Sequence, residues 1–331
     1  MDWLTSLYPE VRQALENAIP PHWPELQSVF DGLFEQPPPL LSVALLPLVC
    51  CQAVNGIARD AVPVSAALIA AEVSLRIFDD LEDKDRPGQL WQLTGEARAW
   101  NLASAIHILS FEILSKSSLP LQVFHEVNQL FIDAFFDIAV GQERDLAGMP
   151  GSIEDYWQTM ELKTATAYSA ACAAGAMVGT DNPELIKACQ MYGHDVGLAI
   201  QIFNDMEAIW EPQGTSDLKQ GKVTLPLMHG LLLDHPDRDE LLSLVTSHKL
   251  VSDSTRIKQI LDKIDTKGFL IWAALKQREE ALEAIKICPN AEGREALESY
   301  ITGMFGDIDS LLSMQPPERV IDIESSNLPR A

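Results

Sequence analysis

Residues 77–87 read IFDDLEDKDRP, and their interpretation decides the fold. Asp79, Asp80 and Asp83 form a DDxxD cluster with Glu82 inside it. The preceding sequence is long, apolar and rich in Ala, which predicts a buried helix that ends in carboxylates. On a helix Asp79 and Asp83 lie one turn apart on one face, with Asp80 beside them. Converging carboxylates are costly unless a cation neutralises them. Ligands made only of oxygen suit Mg²⁺, which keeps several waters and completes its shell with substrate phosphates. A solvated acidic helix end is the plain alternative.

A second segment, residues 197–230, repeats the pattern: GLAIQIFNDMEAIWEPQGTSDLKQGKVTLPLMHG. An apolar helical run again closes in Asn204, Asp205, Glu207 and Glu211. Asn204, Glu207 and Glu211 are spaced i, i+3, i+7 and so form one stripe. A short turn follows, then Asp217, Lys219 and Lys222, then TLPLMHGLLL. Two acidic helix ends with lysines downstream describe a cage for Mg²⁺ and a diphosphate.

With these pieces the chain resembles the trans-prenyl diphosphate synthase (polyprenyl synthetase) superfamily over residues 35–310. The matching segments occur in the family's order: DDLED at 79–83, GQERDL at 141–146, LKTA at 162–165, GLAIQIFND at 197–205 and SDLKQGKVTLP at 216–226. The resemblance implies an all-α isoprenoid synthase fold of ten or more helices around an apolar cavity. It implies a prenyl diphosphate substrate, three Mg²⁺ ions and a homodimer. Metal ligands would come from Asp79, Asp80, Asp83, Asn204, Asp205, Glu207 and Glu211. Of these, Asp79, Asp80, Asp83 and Asp205 carry the chemistry. Lys163 and Lys222 would hold the diphosphate, with Arg86 as the remnant of a basic pair. Thr164, Gln201, Phe78 and Ser74 would line the substrate channel. Gln142 and Asp145 would support the first metal cluster. No aromatic stands at Ser74 or Leu75, where the family floors its pocket, so a farnesyl or geranylgeranyl chain is expected.

The departures are as informative. The family's acceptor site for isopentenyl diphosphate uses a GKRxRP segment and a His. The aligned stretch here is EQPPPL at 35–40, and Glu72 stands at the His position. An acidic group repels a diphosphate. Each lost charge-assisted bond costs roughly 1.5–3 kcal/mol. Residues 1–83 hold only Arg12, Arg59 and Arg76 as Lys or Arg. These changes favour an enzyme that ionises an allylic diphosphate without elongating it, as a terpene cyclase does, or that prenylates another acceptor. The alternatives are a divergent chain-elongating synthase and a non-catalytic partner subunit of one.

Composition agrees with this reading. The 331 residues carry a net charge of −24. That argues against nucleic acid and anionic lipid as partners. Cys50, Cys51, Cys172, Cys189 and Cys288 follow no metal or disulfide pattern and predict buried thiols in a cytoplasmic protein. No signal peptide and no membrane span is read; the apolar run at 40–54 is too short. Organisation is expected as a helical lead-in at 1–34, a main domain at 35–314 and a disordered tail at 315–331. Helices are expected near 40–56, 62–83, 93–115, 119–146, 153–179, 182–211, 223–234, 237–247, 253–264, 267–287 and 290–314.

Overall fold

The computed structural model describes residues 2–31, 43–84, 88–148, 151–210, 222–246 and 253–306. Among them every regular element is a helix. The order is α1 (Asp2–Ala18), α2 (Pro24–Asp31), α3 (Leu46–Ala53), α4 (Val62–Asp83), α5 (Leu90–Thr94), α6 (Glu96–Ser115), α7 (Leu121–Ala147) and α8 (Ile153–Met160). A π-turn (Glu161–Ala165) leads into α9 (Thr166–Gly179). Then come α10 (Pro183–Trp210), α11 (Leu225–Leu232), α12 (Arg238–Thr246), α13 (Ser254–Lys263), α14 (Thr266–Ala284) and α15 (Ala291–Gly303). Most expected helices are present with ends within a few residues, but the one expected at 40–56 is shorter, the one expected at 153–179 is interrupted by the π-turn, and the one expected at 290–314 ends at Gly303. The expected tail lies outside the described residues.

The chain forms two compact units. The first holds Met1–Ala134, Tyr168–Gly193 and Leu282–Gly306, and the second holds Phe135–Ala167 and His194–Ala281. In the first, α4 is the central element, packed on α6, α1 and α3. From Val62 to Ala71 nearly every α4 side chain is buried, and afterwards only Ser74, Ile77 and Leu81 are. A helix apolar on all sides is a core helix, and one with a single apolar stripe is half-solvated; α4 changes from the first kind to the second just before its acidic end. The stretch from Ala58 to Asp83 is long and apolar enough to cross a membrane by length and composition, and most of it is buried inside the protein. The lead-in helix α1 buries Leu4, Leu7, Val11 and Leu15 along one stripe and packs on α4. All five cysteines are free and buried, and burial pushes the Cys51 thiol up to about 12.

In the second unit α11 is the core. Leu225, Leu227, Met228 and Leu231 are buried, and the helix packs on α12, α13 and α8. His229 is buried there, bonded through Nδ1 to Thr266 Oγ1 at 3.0 Å and stacked on Phe269, so it is a core histidine. Helix α8 starts where the Ser152 hydroxyl accepts the Asp155 N–H, with Glu154 and Asp155 facing the positive helix end.

Candidate active site

In the first unit α4 presents Asp79, Asp80, Glu82 and Asp83 half-buried, while Ile77 and Leu81 anchor the opposite face. Lys84 ends the helix in the left-handed conformation (φ 49°), its N–H returning to the Asp80 carbonyl. A residue of that conformation in the C-terminal position stops a helix abruptly. The Lys84 ammonium turns to Glu96 at 2.7 Å. Asp80 Oδ1 accepts from Gln89 Nε2 at 2.8 Å, and Gln89 Oε1 accepts from Trp91 Nε1 at 2.5 Å. Gln89 therefore orients Asp80. No sequence signal marks it; it merely follows Gly88.

The neighbouring positions divide by role. Phe78 lies against Trp100, ring centroids 5.3 Å apart. Ser74, expected to line the channel, is fully buried and donates its hydroxyl to the Ala103 carbonyl at 3.0 Å. It ties α4 to α6. Arg76 pairs with Glu72 at 2.8 Å. Burial raises the Glu72 carboxyl above its ordinary value, and Arg76 only partly offsets this. Arg86 lies outside the described residues.

In the second unit two lysines meet one carboxylate. Lys163 Nζ is 2.7 Å and Lys222 Nζ 3.0 Å from the same oxygen, Asp145 Oδ2. Burial would raise the Asp145 carboxyl, but the two ammonium groups more than reverse this and hold it below the usual carboxylate value. Asp145, expected to support the acidic cluster, has Lys163 and Lys222 as its partners within this unit.

Lys163 and Thr164 project from the π-turn, a widened helical turn of a kind often found at functional sites. Two glycines on other helices make room for it. A Cβ on Gly141 of α7 would lie 2.4 Å from the Lys163 nitrogen, and one on Gly197 of α10 would lie 2.6 Å from the Ala165 Cα. Only a residue without a Cβ permits either approach.

Asp205 is 1% exposed. Its Oδ2 accepts the Tyr156 hydroxyl at 2.7 Å and the Leu225 N–H at 2.7 Å, and its Oδ1 accepts Gln201 Nε2 at 2.8 Å. The Leu225 N–H is one of the groups a helix leaves unpaired at its start, so Asp205 caps α11 from α10. Gln201 Oε1 then accepts the Thr164 hydroxyl at 2.7 Å. A continuous relay thus runs from α11 and α8 through Asp205 and Gln201 to the π-turn. This geometry makes Asp205, expected from the sequence as a metal ligand, an anchor of α8, α10 and α11 as well. Its neighbours Asn204 and Glu207 are exposed. Glu211, Asp217 and Lys219 lie outside the described residues.

Among the described residues no three His, Cys, Asp or Glu side chains are arranged to hold a metal ion alone. The half-buried carboxylates of α4 supply hard oxygen donors on one face. That donor set fits Mg²⁺, which typically takes one or two carboxylates and fills its shell with water and phosphate oxygens.

Comparison with known proteins gives the family. Residues 45–264 match the polyprenyl synthetase family. The chain is 29% identical to a short chain isoprenyl diphosphate synthase of Methanothermobacter thermautotrophicus, over 76% of this chain and 81% of that protein. It is 31% identical to a geranylgeranyl diphosphate synthase of Mycobacterium tuberculosis, over 75% of this chain and 74% of that protein. Among solved structures, a decaprenyl diphosphate synthase from Rhodobacter capsulatus superposes with a TM-score of 0.79 at 19% identity, covering 91% of this chain and 97% of that one. At that identity the likeness speaks for the fold alone. On the family match, the ordered motifs and the all-helical fold, the chain belongs to the polyprenyl synthetase family of isoprenoid synthases.

Proposed function

We propose that this chain is a prenyl diphosphate synthase that elongates an allylic prenyl diphosphate with a second, isopentenyl-type diphosphate. The observation that carries the diphosphate part is the pair of lysines, Lys163 and Lys222, gathered on Asp145. Elongation is supported by the relatives, which are named as isoprenyl diphosphate synthases. The cyclase-like reading favoured from the missing acceptor cations is therefore set aside. Residues 35–40, on which it rested, lie outside the described residues, and Glu72 is neutralised in part by Arg76.

In this reading Asp79 and Asp83 hold Mg²⁺, with Asp80 fixed beside them by Gln89. When bound, the ions draw charge off the departing diphosphate. Lys163 and Lys222 bind and orient that group through charge-assisted bonds. Thr164, fixed by Gln201, lines the substrate channel. Asn204 and Glu207, exposed on the stripe that ends α10, are the second set of metal-facing groups, and three ions in all follow from the resemblance. A farnesyl or geranylgeranyl chain remains the expected allylic length. We also propose a homodimer, because α6 exposes Trp100 and Ile108 and α7 exposes Leu121, Phe136 and Val140 to solvent in the single chain. Apolar residues in such stripes mark association surfaces. The five free cysteines suit a cytoplasmic setting.

The test is incubation with Mg²⁺ and farnesyl or geranylgeranyl diphosphate, with and without isopentenyl diphosphate. Longer prenyl diphosphates appearing only with isopentenyl diphosphate are expected. Hydrocarbon or alcohol products with diphosphate release in its absence would return the cyclase reading.

A further inference from the structure

Two ammonium groups on one carboxylate oxygen are an unusual economy of charge. Lys163 reaches Asp145 Oδ2 from the π-turn, and Lys222 reaches it from the segment before α11. Both lysine side chains are mostly buried, at 22% and 13% exposure. The two nitrogens can be no farther apart than the sum of their distances to that oxygen. Like charges so close, and partly desolvated, repel strongly and disfavour their shared charged state. A single negative charge in contact with both offsets much of that penalty and leaves the trio with a net positive charge. Other charged groups nearby are of lesser weight: Glu143 and Arg144 flank Asp145 on α7, and Glu161 opens the π-turn, all three exposed.

We propose that Asp145 is a positioning residue, which gathers Lys163 and Lys222 into a diphosphate clamp that exists before the anion arrives. This rests on the reading that the two lysines bind diphosphate. Without Asp145 the anion itself would have to assemble the pair, and preorganisation is lost. One lysine would also shed its proton more readily, so affinity would become sensitive to alkaline pH.

The probe is inorganic diphosphate, titrated by calorimetry into the full-length protein at pH 7 and pH 9. Lys163→Gln and Lys222→Gln should each weaken binding at least about tenfold, the loss of one charge-assisted contact. If neither does, the reading of the lysines fails, whatever Asp145 does. Asp145→Asn should bind more weakly than wild type, and the ratio to wild type should grow by about fivefold between the two pH values, as for a lysine lowered by about two units from its ordinary value near 10.4. Asp145→Glu should restore the wild-type pH behaviour. If the lysine variants weaken binding but the Asp145→Asn ratio stays flat with pH, Asp145 is merely structural and the proposal is overturned. Should Asp145→Asn not fold, the double change Asp145→Asn/Lys222→Gln removes the repulsion together with the carboxylate. It should fold and bind diphosphate weakly with wild-type pH behaviour; failure to fold or retained alkaline sensitivity overturns the proposal.

Discussion

Replacing Tyr156 with Phe isolates one bond of the Asp205 anchor. The Tyr156 ring is 3% exposed and sits edge-on to Trp157, with ring centroids 5.2 Å apart, so Phe fills the same volume. The hydroxyl is what changes. It donates at 2.7 Å to a carboxylate that is 1% exposed and has two further donors, Gln201 Nε2 and the Leu225 N–H. A hydrogen bond to a charged, buried acceptor contributes about 1.5–3 kcal/mol, and water cannot replace it without opening the core. Each kcal/mol moves the midpoint of a domain of 150–250 residues by about 2–4 °C. The expected fall in thermal midpoint is therefore about 3–12 °C, read by circular dichroism or calorimetry without ligand. A fall under about 1 °C would refute the reasoning. It would mean that Asp205 gains little from Tyr156 and has oxygen capacity to spare for a metal ion.

Four further outcomes are expected. Gly141→Ala forces a methyl group 2.4 Å from the Lys163 backbone nitrogen, and overpacking of that kind costs about 1–3 kcal/mol; thermal melts should fall and diphosphate affinity with them, and an unchanged affinity would separate the π-turn from the site. Asp83→Asn removes a proposed Mg²⁺ ligand worth several kcal/mol of transition-state stabilisation; kcat/KM should drop by about 100-fold or more in a steady-state assay, with unfolding little affected. Glu72→Gln is a pH prediction. The carboxyl is raised in the folded protein, so folding favours its protonated form; that contribution is full below the ordinary value of 4.5 and is lost as pH rises through the folded value. Denaturant unfolding should therefore find Glu72→Gln more stable than wild type at neutral pH, with the gain vanishing below about pH 4.5. Ile108→Glu should turn a dimer into a monomer on gel filtration, and an unchanged elution volume would place any interface elsewhere.

Helical periodicity made the fold readable, because the buried stripes of α1, α4 and α10 are local facts. The acidic ends were readable for the same reason, since Asp79 and Asp83, or Asn204 and Glu207, share a face through spacing alone. What spacing cannot carry is the partner of a side chain that lies far away in the chain. Asp205 meets Tyr156 and a backbone N–H at Leu225, and Asp145 meets Lys163 and Lys222. Neither contact is written in the spacing of the motif that carries the residue. The Ser74 bond to α6 is of the same kind, because a small polar residue one turn before an acidic motif looks the same in sequence whether or not it bonds to a neighbouring helix. The preference for cyclisation came from weighing missing cations. That argument measured what had been lost at one subsite, whereas the family match spans residues 45–264 and reflects the whole helical scaffold.

The π-turn at 161–165 carries a consequence for how this chain can vary in length. A π-turn holds one residue more than the α-turn it replaces. Deleting a single residue there would let α8 and α9 run on as ordinary helix, with no hydrogen bond sacrificed. Nothing in the stability of the isolated helix would register the loss, yet Lys163 and Thr164 would swing by about 100°, the angle one residue subtends in an α-helix. The reactive register of this protein is therefore written as a count of residues as well as their kinds. A one-residue deletion scan across Glu161–Ala165, scored separately for folding and for turnover, should abolish turnover at every position and lower the thermal midpoint as well, because Gly141 and Gly197 are fitted to the π-turn.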